Sequence, residues 1–454
     1  MKKLLYLLPL FLGGFFYAQN FKADSTQFKK ISDEILTKGK GYEDLRELTK
    51  NIGNRLSGSA NYEKATQWAM QKLKDAGADK VWLQPVMVDV WTRGTESLKL
   101  KIGNGNWENI KMLSLGNSEG TKGKDLKGNI ILVKSIEEFQ KIPAEVIKDK
   151  IVFFNYPFKQ EFVVTGQAYG DAGKYRRSTA SEVAKKGGKA VIIRSLTSNF
   201  DDVPHTGTLK YEDGIAKIPA IAIGAETADK LEKALLKRQL IEAILNSNCG
   251  MNGQQLTHSV IGEITGNKDN SVIVVGGHLD SWDVGEGAHD DGAGIVQSIE
   301  VLRTFKNLNI KNNHTIRVVC FANEENGLSG GKTYLENVKK SGEPHIFALE
   351  SDSGGFTPRG FSVGMNAEKA QSMKSWEKLF NPYGIYEFIG NHGGADITPL
   401  RELNVPVSNL STDSQRYFDI HHTPEDTFEK VNRRELLLGA TVMTQLIYMI
   451  DQNW

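Results

Sequence analysis

Ser271-Val272-Ile273-Val274-Val275-Gly276-Gly277-His278-Leu279-Asp280-Ser281-Trp282 is the stretch on which the fold turns. Four consecutive β-branched apolar residues with no polar alternation read as a strand buried on both faces, followed by a glycine pair. Just beyond it stand an imidazole and a carboxylate. Downstream, Ile295, Ile299, Leu302 and Phe305 mark one stripe of a helix, and apolar strands recur at 315–322, 345–349 and 405–410. Strand, helix and strand with apolar strands throughout predict an α/β fold: a mostly parallel sheet sandwiched by helices.

Upstream, Ala65, Trp68, Ala69 and Leu73 recur at helical spacing before Gly77, and 81–90 reads as a strand broken at Pro85. From about Gly116 the texture changes. Short strands at 129–133, 151–155, 190–194 and 220–223 alternate with polar or helical stretches, two of the helices at 181–186 and 227–236. This predicts an inserted α+β module over 116–250, between segments 19–115 and 251–454. At the start, Lys2 and Lys3 precede an apolar run over 4–17 and then Ala18-Gln19. That is the layout of a signal peptide cleaved near Ala18. The run is shorter than the ~20 residues a membrane span needs. The expected chain is secreted or periplasmic, with no membrane partner once the leader is removed.

Composition narrows the class. Over 454 residues, 24% are charged, and Lys+Arg (56) balances Asp+Glu (55). A globular chain is expected, with no basic excess to drive nucleic-acid binding. Two cysteines, Cys249 and Cys320, exclude a disulfide scaffold or a Cys-rich metal module, and two unpaired thiols are expected.

Acidic and histidine residues gather where the strands end: His278 and Asp280, then His289-Asp290-Asp291, Glu324-Glu325, Glu350 and Asp352, and near the C-terminus His421-His422. Carboxyl ends of parallel strands are where such sheets place their sites. A single strand-end acid is more often a cap or turn residue than a ligand; the convergence of several segments carries the reading. Carboxylates crowded at one buried edge repel unless a cation neutralises them, and no basic residue in these loops is spaced to do so. The count fits two divalent ions: His278, Asp290 and Asp352 on one, Asp290, Glu325 and His422 on the other, with Asp290 bridging and a shared water completing each shell. This N/O set suits zinc. Two such ions deprotonate the shared water and polarise a carbonyl. Asp280, two residues after His278, is expected to orient its imidazole. Glu324, beside ligand Glu325, is free to act as general base and hand the proton to the leaving amine.

Together these motifs resemble the M28 family of di-zinc peptidases, and within it the carboxypeptidase Q-like (plasma glutamate carboxypeptidase) branch. The Gly276–Trp282 run, Asp290-Asp291-Gly292, Glu324-Glu325, Asp352 and His422-Thr423 match in order and approximate spacing, and Gly53-Asn54-Arg55-Leu56-Ser57-Gly58-Ser59 is similar to the motif before that family's first helix. The resemblance covers nearly all the mature chain. It implies a zinc exopeptidase fold with a protease-associated domain at 116–250 inside a split peptidase domain. It also implies two Zn2+ per chain, hydrolysis of short peptides or dipeptides by a metal-bridged hydroxide, a homodimer, and a non-proline cis bond after Asp290. His421 stands where some relatives carry a Tyr near the oxyanion, and its expected role is to stabilise the tetrahedral intermediate. Preference among aminopeptidase, dipeptidase and carboxypeptidase stays open at this level.

Other readings compete. Gly360-Phe361-Ser362-Val363-Gly364 has the form of a nucleophile elbow, which would make a serine hydrolase of Ser362. Gly331-Lys332-Thr333 has part of a phosphate loop, but Asn326 stands where the leading Gly is needed. A catalytically inactive binding protein on the same scaffold, or a one-metal cyclase of N-terminal Gln, is disfavoured by the complete ligand set. For the substrate's charged end, Tyr175, Arg176 and Arg177 after Tyr169 are candidates, with 391–396 (including Asp396) and 414–418 as possible walls.

Overall fold

The computed structural model describes residues 21–454, so the leader expected at 1–18 lies outside the described residues. Two eight-stranded sheets organise the chain. In the first, Val272–His278 lies between Thr315–Phe321 and His345–Glu350 and runs parallel to both, and Val407–Thr412 continues parallel beyond His345–Glu350. The long Lys80–Thr92 and Gly250–Ile264 strands add to one side antiparallel, and Pro358–Phe361 adds antiparallel to the other. The sheet is therefore mixed, with the expected parallel order at its centre and antiparallel strands at both flanks.

Side-chain alternation explains why the central strand is apolar without interruption. Ile273 and Val275 join Ile295, Ile299, Leu302 and Phe305 of helix Ala293–Asn307 and Val442 and Leu446 of helix Arg433–Asn453. Val272 and Val274 point the other way, against Tyr334, Leu335 and Val338 of helix Ser329–Ser341. With both faces covered, each buried Val or Ile contributes about 1.5–3 kcal/mol of hydrophobic stabilisation.

The second sheet runs in the order 108–110, 96–102, 241–247, 126–133, 151–154, 190–194, 220–223, 112–114. Its four strands from Leu126–Val133 to Ala220–Ile223 are parallel. The sheet begins at Glu96, ahead of the change in texture near 116, because Glu96–Ile102 pairs antiparallel with Ile241–Ser247 across more than 130 residues of chain. No local pattern announces such a pairing. Cys249 and Cys320 are both buried and free.

A loop of this second unit reaches the first. Thr206 N donates to the His422 carbonyl at 3.0 Å, and His205 Nδ1 lies 2.8 Å from the His421 carbonyl. Arg93 ties the junction, donating to Asp283, to the Ser114 carbonyl and to Thr206 Oγ1.

Burial holds the His205 ring down to about 3, and burial likewise holds His289 down to about 4. Both stay neutral in the fold, whereas an unfolded chain takes up these protons below about 6.5. Their contribution to stability is present above that pH and lost as pH falls from about 6.5 through about 3. Denaturant unfolding from pH 7 to pH 4 is expected to show His205→Asn losing less stability on acidification than the wild type. Parallel slopes would remove His205 from the acid response.

Candidate metal centre

Each functional side chain leaves a carboxyl end of the first sheet. His278 closes the central strand, Asp290 sits in the loop before helix Ala293–Asn307, and Glu324-Glu325 follow Thr315–Phe321. Asp352 follows His345–Glu350, and His421-His422 follow the short helix Tyr417–Ile420. His278 Nε2 lies 3.1 Å from Asp290 Oδ1 and 3.6 Å from Asp352 Oδ1. His422 Nε2 lies 3.3 Å from the other Asp290 oxygen, Oδ2, and 3.2 Å from Glu325 Oε2. The structure thus brings together all five residues read as ligands, with Asp290 offering one oxygen to each side.

Supporting hydrogen bonds fix these groups. Asp426 accepts from the backbone amides of His289 (2.8 Å) and Asp290 (3.1 Å), and Asp291 accepts from His278 N and Gly294 N. The peptide between Asp290 and Asp291 is cis. Arg55, fully buried, donates to the carbonyls of Leu279, Glu286 and Gly287 and so pins both ends of the 279–287 loop.

Asp280 reaches two neighbours besides the His278 ring. Its carboxylate accepts from the amides of Glu324 (3.1 Å) and Glu325 (3.4 Å), joining two strand ends, and its Oδ1 is 3.8 Å from His278 Nδ1. The Asp280 main-chain carbonyl, at 3.0 Å, is the partner of that nitrogen. The Thr206 carbonyl stands 3.3 Å from His422 Nδ1 in the same way. An imidazole that donates from Nδ1 to a carbonyl presents a lone pair at Nε2, the form a metal takes.

Burial works against every charge here. It raises Glu325 to about 7 and Asp426 to about 7, and burial together with neighbouring acids lifts Glu324, which is half-buried, well above the usual carboxylate range. Against its own burial, Asp290 is held well below that range by His278 and His422. His421 goes the other way: burial and the neighbouring His422 keep it neutral. Its ring stacks on His422 with centroids 3.5 Å apart, its Nε2 reaches 3.5 Å from Asp290 Oδ2, and Tyr169, Tyr417 and Phe418 collar it.

The donor set fits metal. Asp290 Oδ2 is buried with no hydrogen-bond partner. Two groups of donors, His278-Asp290-Asp352 and Asp290-His421-His422, each gather within 4.8 Å and share Asp290. Tetrahedral zinc with bonds of about 2.0–2.1 Å separates its N/O ligands by roughly 3.3 Å, close to the spacings between the Nε2 atoms and the acids. His421 enters the second group beside His422, an approach the sequence motifs did not suggest.

Several other expectations resolve on geometry. Ser362 is wholly buried, donating to the His392 carbonyl and accepting from Asn409 N, so it cannot serve as an exposed nucleophile. Lys332 lies within helix Ser329–Ser341 and bonds the Gly327 carbonyl rather than forming a phosphate loop. Asp396 is buried beside Glu350, which accepts its backbone amide. Tyr175 packs into the core of the second unit, Arg177 is exposed, and Arg176 alone of that trio turns toward His421 and His422. Sequence reading missed Asp426, which grips the backbone around Asp290 from a position with no motif of its own. It also missed Thr206, which acts through its main chain and carries no side-chain signal.

The signature of Peptidase family M28 matches residues 259–447. Human carboxypeptidase Q is 34% identical over 418 residues, spanning 90% of this chain and 85% of its own length, and the Xenopus laevis carboxypeptidase Q is 32% identical over 98% of this chain and 96% of its own. The crystal structure of a peptidase M28 precursor from Shewanella amazonensis superposes with a TM-score of 0.90 at 32% identity, over 95% of this chain and 98% of that one. A zinc aminopeptidase from Bacillus subtilis shares the fold at a TM-score of 0.65 and 21% identity, over 90% and 94% of the two chains.

Asp290→Asn removes the one carboxylate that faces both histidine groups. Metal content after dialysis, measured by elemental analysis, is expected to fall from about two ions per chain to one or none. Retention of two ions would rule out a bridge through this residue.

Proposed function

We propose that this chain, which belongs to peptidase family M28 and is a metallopeptidase, is a co-catalytic zinc exopeptidase of short peptides or dipeptides, of the carboxypeptidase Q kind. The observation that carries the reading is the buried Asp290 carboxylate, which turns one oxygen to each of two histidine-acid groups. His278, Asp290 and Asp352 would hold one zinc ion and Asp290, Glu325 and His422 the other. When bound, the pair supplies Lewis-acid polarisation of the scissile carbonyl and acidifies the attacking water.

The chain's own residues supply the rest. Glu324 stands beside the ligands with its affinity for a proton raised by burial, as a base that must later act as an acid requires. It takes one proton from the water as the new C–O bond forms and delivers it to the amine nitrogen as the C–N bond breaks. Asp280 fixes where Glu324 stands, because its carboxylate holds the Glu324 and Glu325 amides. His421, neutral, can donate a hydrogen bond to the oxygen that gathers negative charge. The reading extends to export through the 1–18 leader, to the second unit as a protease-associated module, and to a homodimer in solution.

Chelator is expected to abolish hydrolysis and added zinc to restore it. Glu324→Gln should retain both metals by elemental analysis yet lose about 10²–10⁴-fold in kcat; an active variant would strip it of the base role. His421→Ala should lower kcat about 10²–10³-fold with its metals in place, and an unchanged turnover number would leave it a packing residue.

A further inference from the structure

One end of the second unit carries a surface that the fold does not use. Helix Ala225–Leu236 turns Ala225, Ala228, Leu231 and Ala234 into the core. The turn that follows, Leu236-Lys237-Arg238-Gln239-Leu240, faces solvent throughout, with Leu236 63% and Leu240 55% exposed. Arg238 has φ 59°, in the left-handed position after a helix where glycine is the unstrained residue. An arginine is held there against that preference, and among the described residues its side chain has no hydrogen bond or ion pair.

Neighbouring segments are fixed against this turn. Gly103 N donates to the Leu240 carbonyl at 2.7 Å, and Lys230 Nζ pairs with Glu108 Oε2 at 2.6 Å. These contacts lay the 103–107 connection, with Trp107 43% exposed, alongside the helix and its turn. Phe200, 61% exposed, lines a hollow of about 530 Å³ together with Ile102, Lys233 and Lys237. Its loop is pinned to the start of the helix, where Glu226 N donates to the Asp201 carbonyl and Thr227 N to Asp202 Oδ1. Single exposed apolar side chains are ordinary; four from three segments, all tied to one helix, form a patch.

Charge selects what the patch meets. Asp229 is engaged by Arg194, Glu108 by Lys230, Asp201 by Asn199 and the Val203 amide, and Asp202 by the Thr227 amide. Glu226 stands at the opposite end of the helix from the turn. Lys233, Lys237 and Arg238 have no described hydrogen bond or ion pair, so the leucine end is left cationic. Trp and Leu flanked by Lys and Arg suit the boundary between lipid headgroups and acyl chains. A soluble anion would leave the apolar side chains in water, and an apolar protein face would leave the cations unpaired.

We propose that this end of the second unit docks the protein on an anionic lipid surface. Trp107, Leu236 and Leu240 enter the headgroup boundary, and Lys233, Lys237 and Arg238 meet lipid phosphates. The mature chain then has a membrane partner where the sequence alone suggested none. No residue of the metal centre takes part, so the proposal stands independently of the peptidase reading.

The test is co-sedimentation of residues 21–454, the whole described fold, with lipid vesicles. Vesicles with about 30% phosphatidylglycerol in phosphatidylcholine should bind about 10²-fold more tightly than phosphatidylcholine alone, at roughly fivefold for each of the three cations. Raising salt from about 0.1 M to about 1 M should release most of the protein. Lys233→Glu with Lys237→Glu, and separately Leu236→Ser with Leu240→Ser, should each weaken binding about tenfold or more. All four side chains are exposed, so the thermal midpoint should stay that of the wild type. Brominated lipid should quench tryptophan fluorescence in the wild type and less in Trp107→Phe. No binding to the anionic vesicles, equal binding to both kinds, or binding that both paired variants retain would overturn the proposal. So would self-association without vesicle binding, abolished by Leu236→Ser with Leu240→Ser, which would give this surface to a second copy of the chain.

Discussion

Like charges buried at one sheet edge set the terms for this protein. Asp290, Glu324, Glu325 and Asp352 converge with His278 and His422 where water is largely excluded. Repulsion among such carboxylates is strong in a low dielectric. The fold answers with an arrangement suited to a cation: acids and imidazole nitrogens 3.1–3.6 Å apart, with Asp290 turning one oxygen to each histidine group. The buried Arg55, the Asp426 carboxylate on the His289 and Asp290 amides, and the Asp280 link between strand ends hold that arrangement in place.

The second sheet is part of the site rather than an appendage. Its 205–207 loop sets a carbonyl against His422 Nδ1, bonds the His422 main chain, and lays His205 against the His421 carbonyl. The helix Thr165–Lys185 brings Tyr169 and Arg176 to the same corner. The unit that orients one histidine thereby also shapes the space beside it. The two units meet through a few contacts around His421 and His422.

Much of this was legible in the chain. The strand–glycine–His-x-Asp run marks the central parallel strand because a strand covered on both faces must be apolar throughout, and polar residues can stand only where it ends. The same constraint put His278, Glu324-Glu325 and Asp352 at strand ends, where their numbers announced a shared charge problem. Less legible were the antiparallel flanks, since long-range pairings such as Glu96–Ile102 with Ile241–Ser247 leave no local periodicity. Beside the Asp280 carboxylate, 3.8 Å from His278 Nδ1, the Asp280 carbonyl stands at 3.0 Å, a main-chain partner that the sequence does not mark.

The sequence by itself determined which residue types meet at the edge of the sheet, because burial pattern and strand ends are encoded locally by hydrophobicity. Only the tertiary structure decided how they face one another: the Thr206 carbonyl on one histidine, the Asp426 grip on the Asp290 backbone, and the stacking of His421 on His422. Those are relations between segments hundreds of residues apart, and main-chain groups, identical at every position, carry no mark of where they will point.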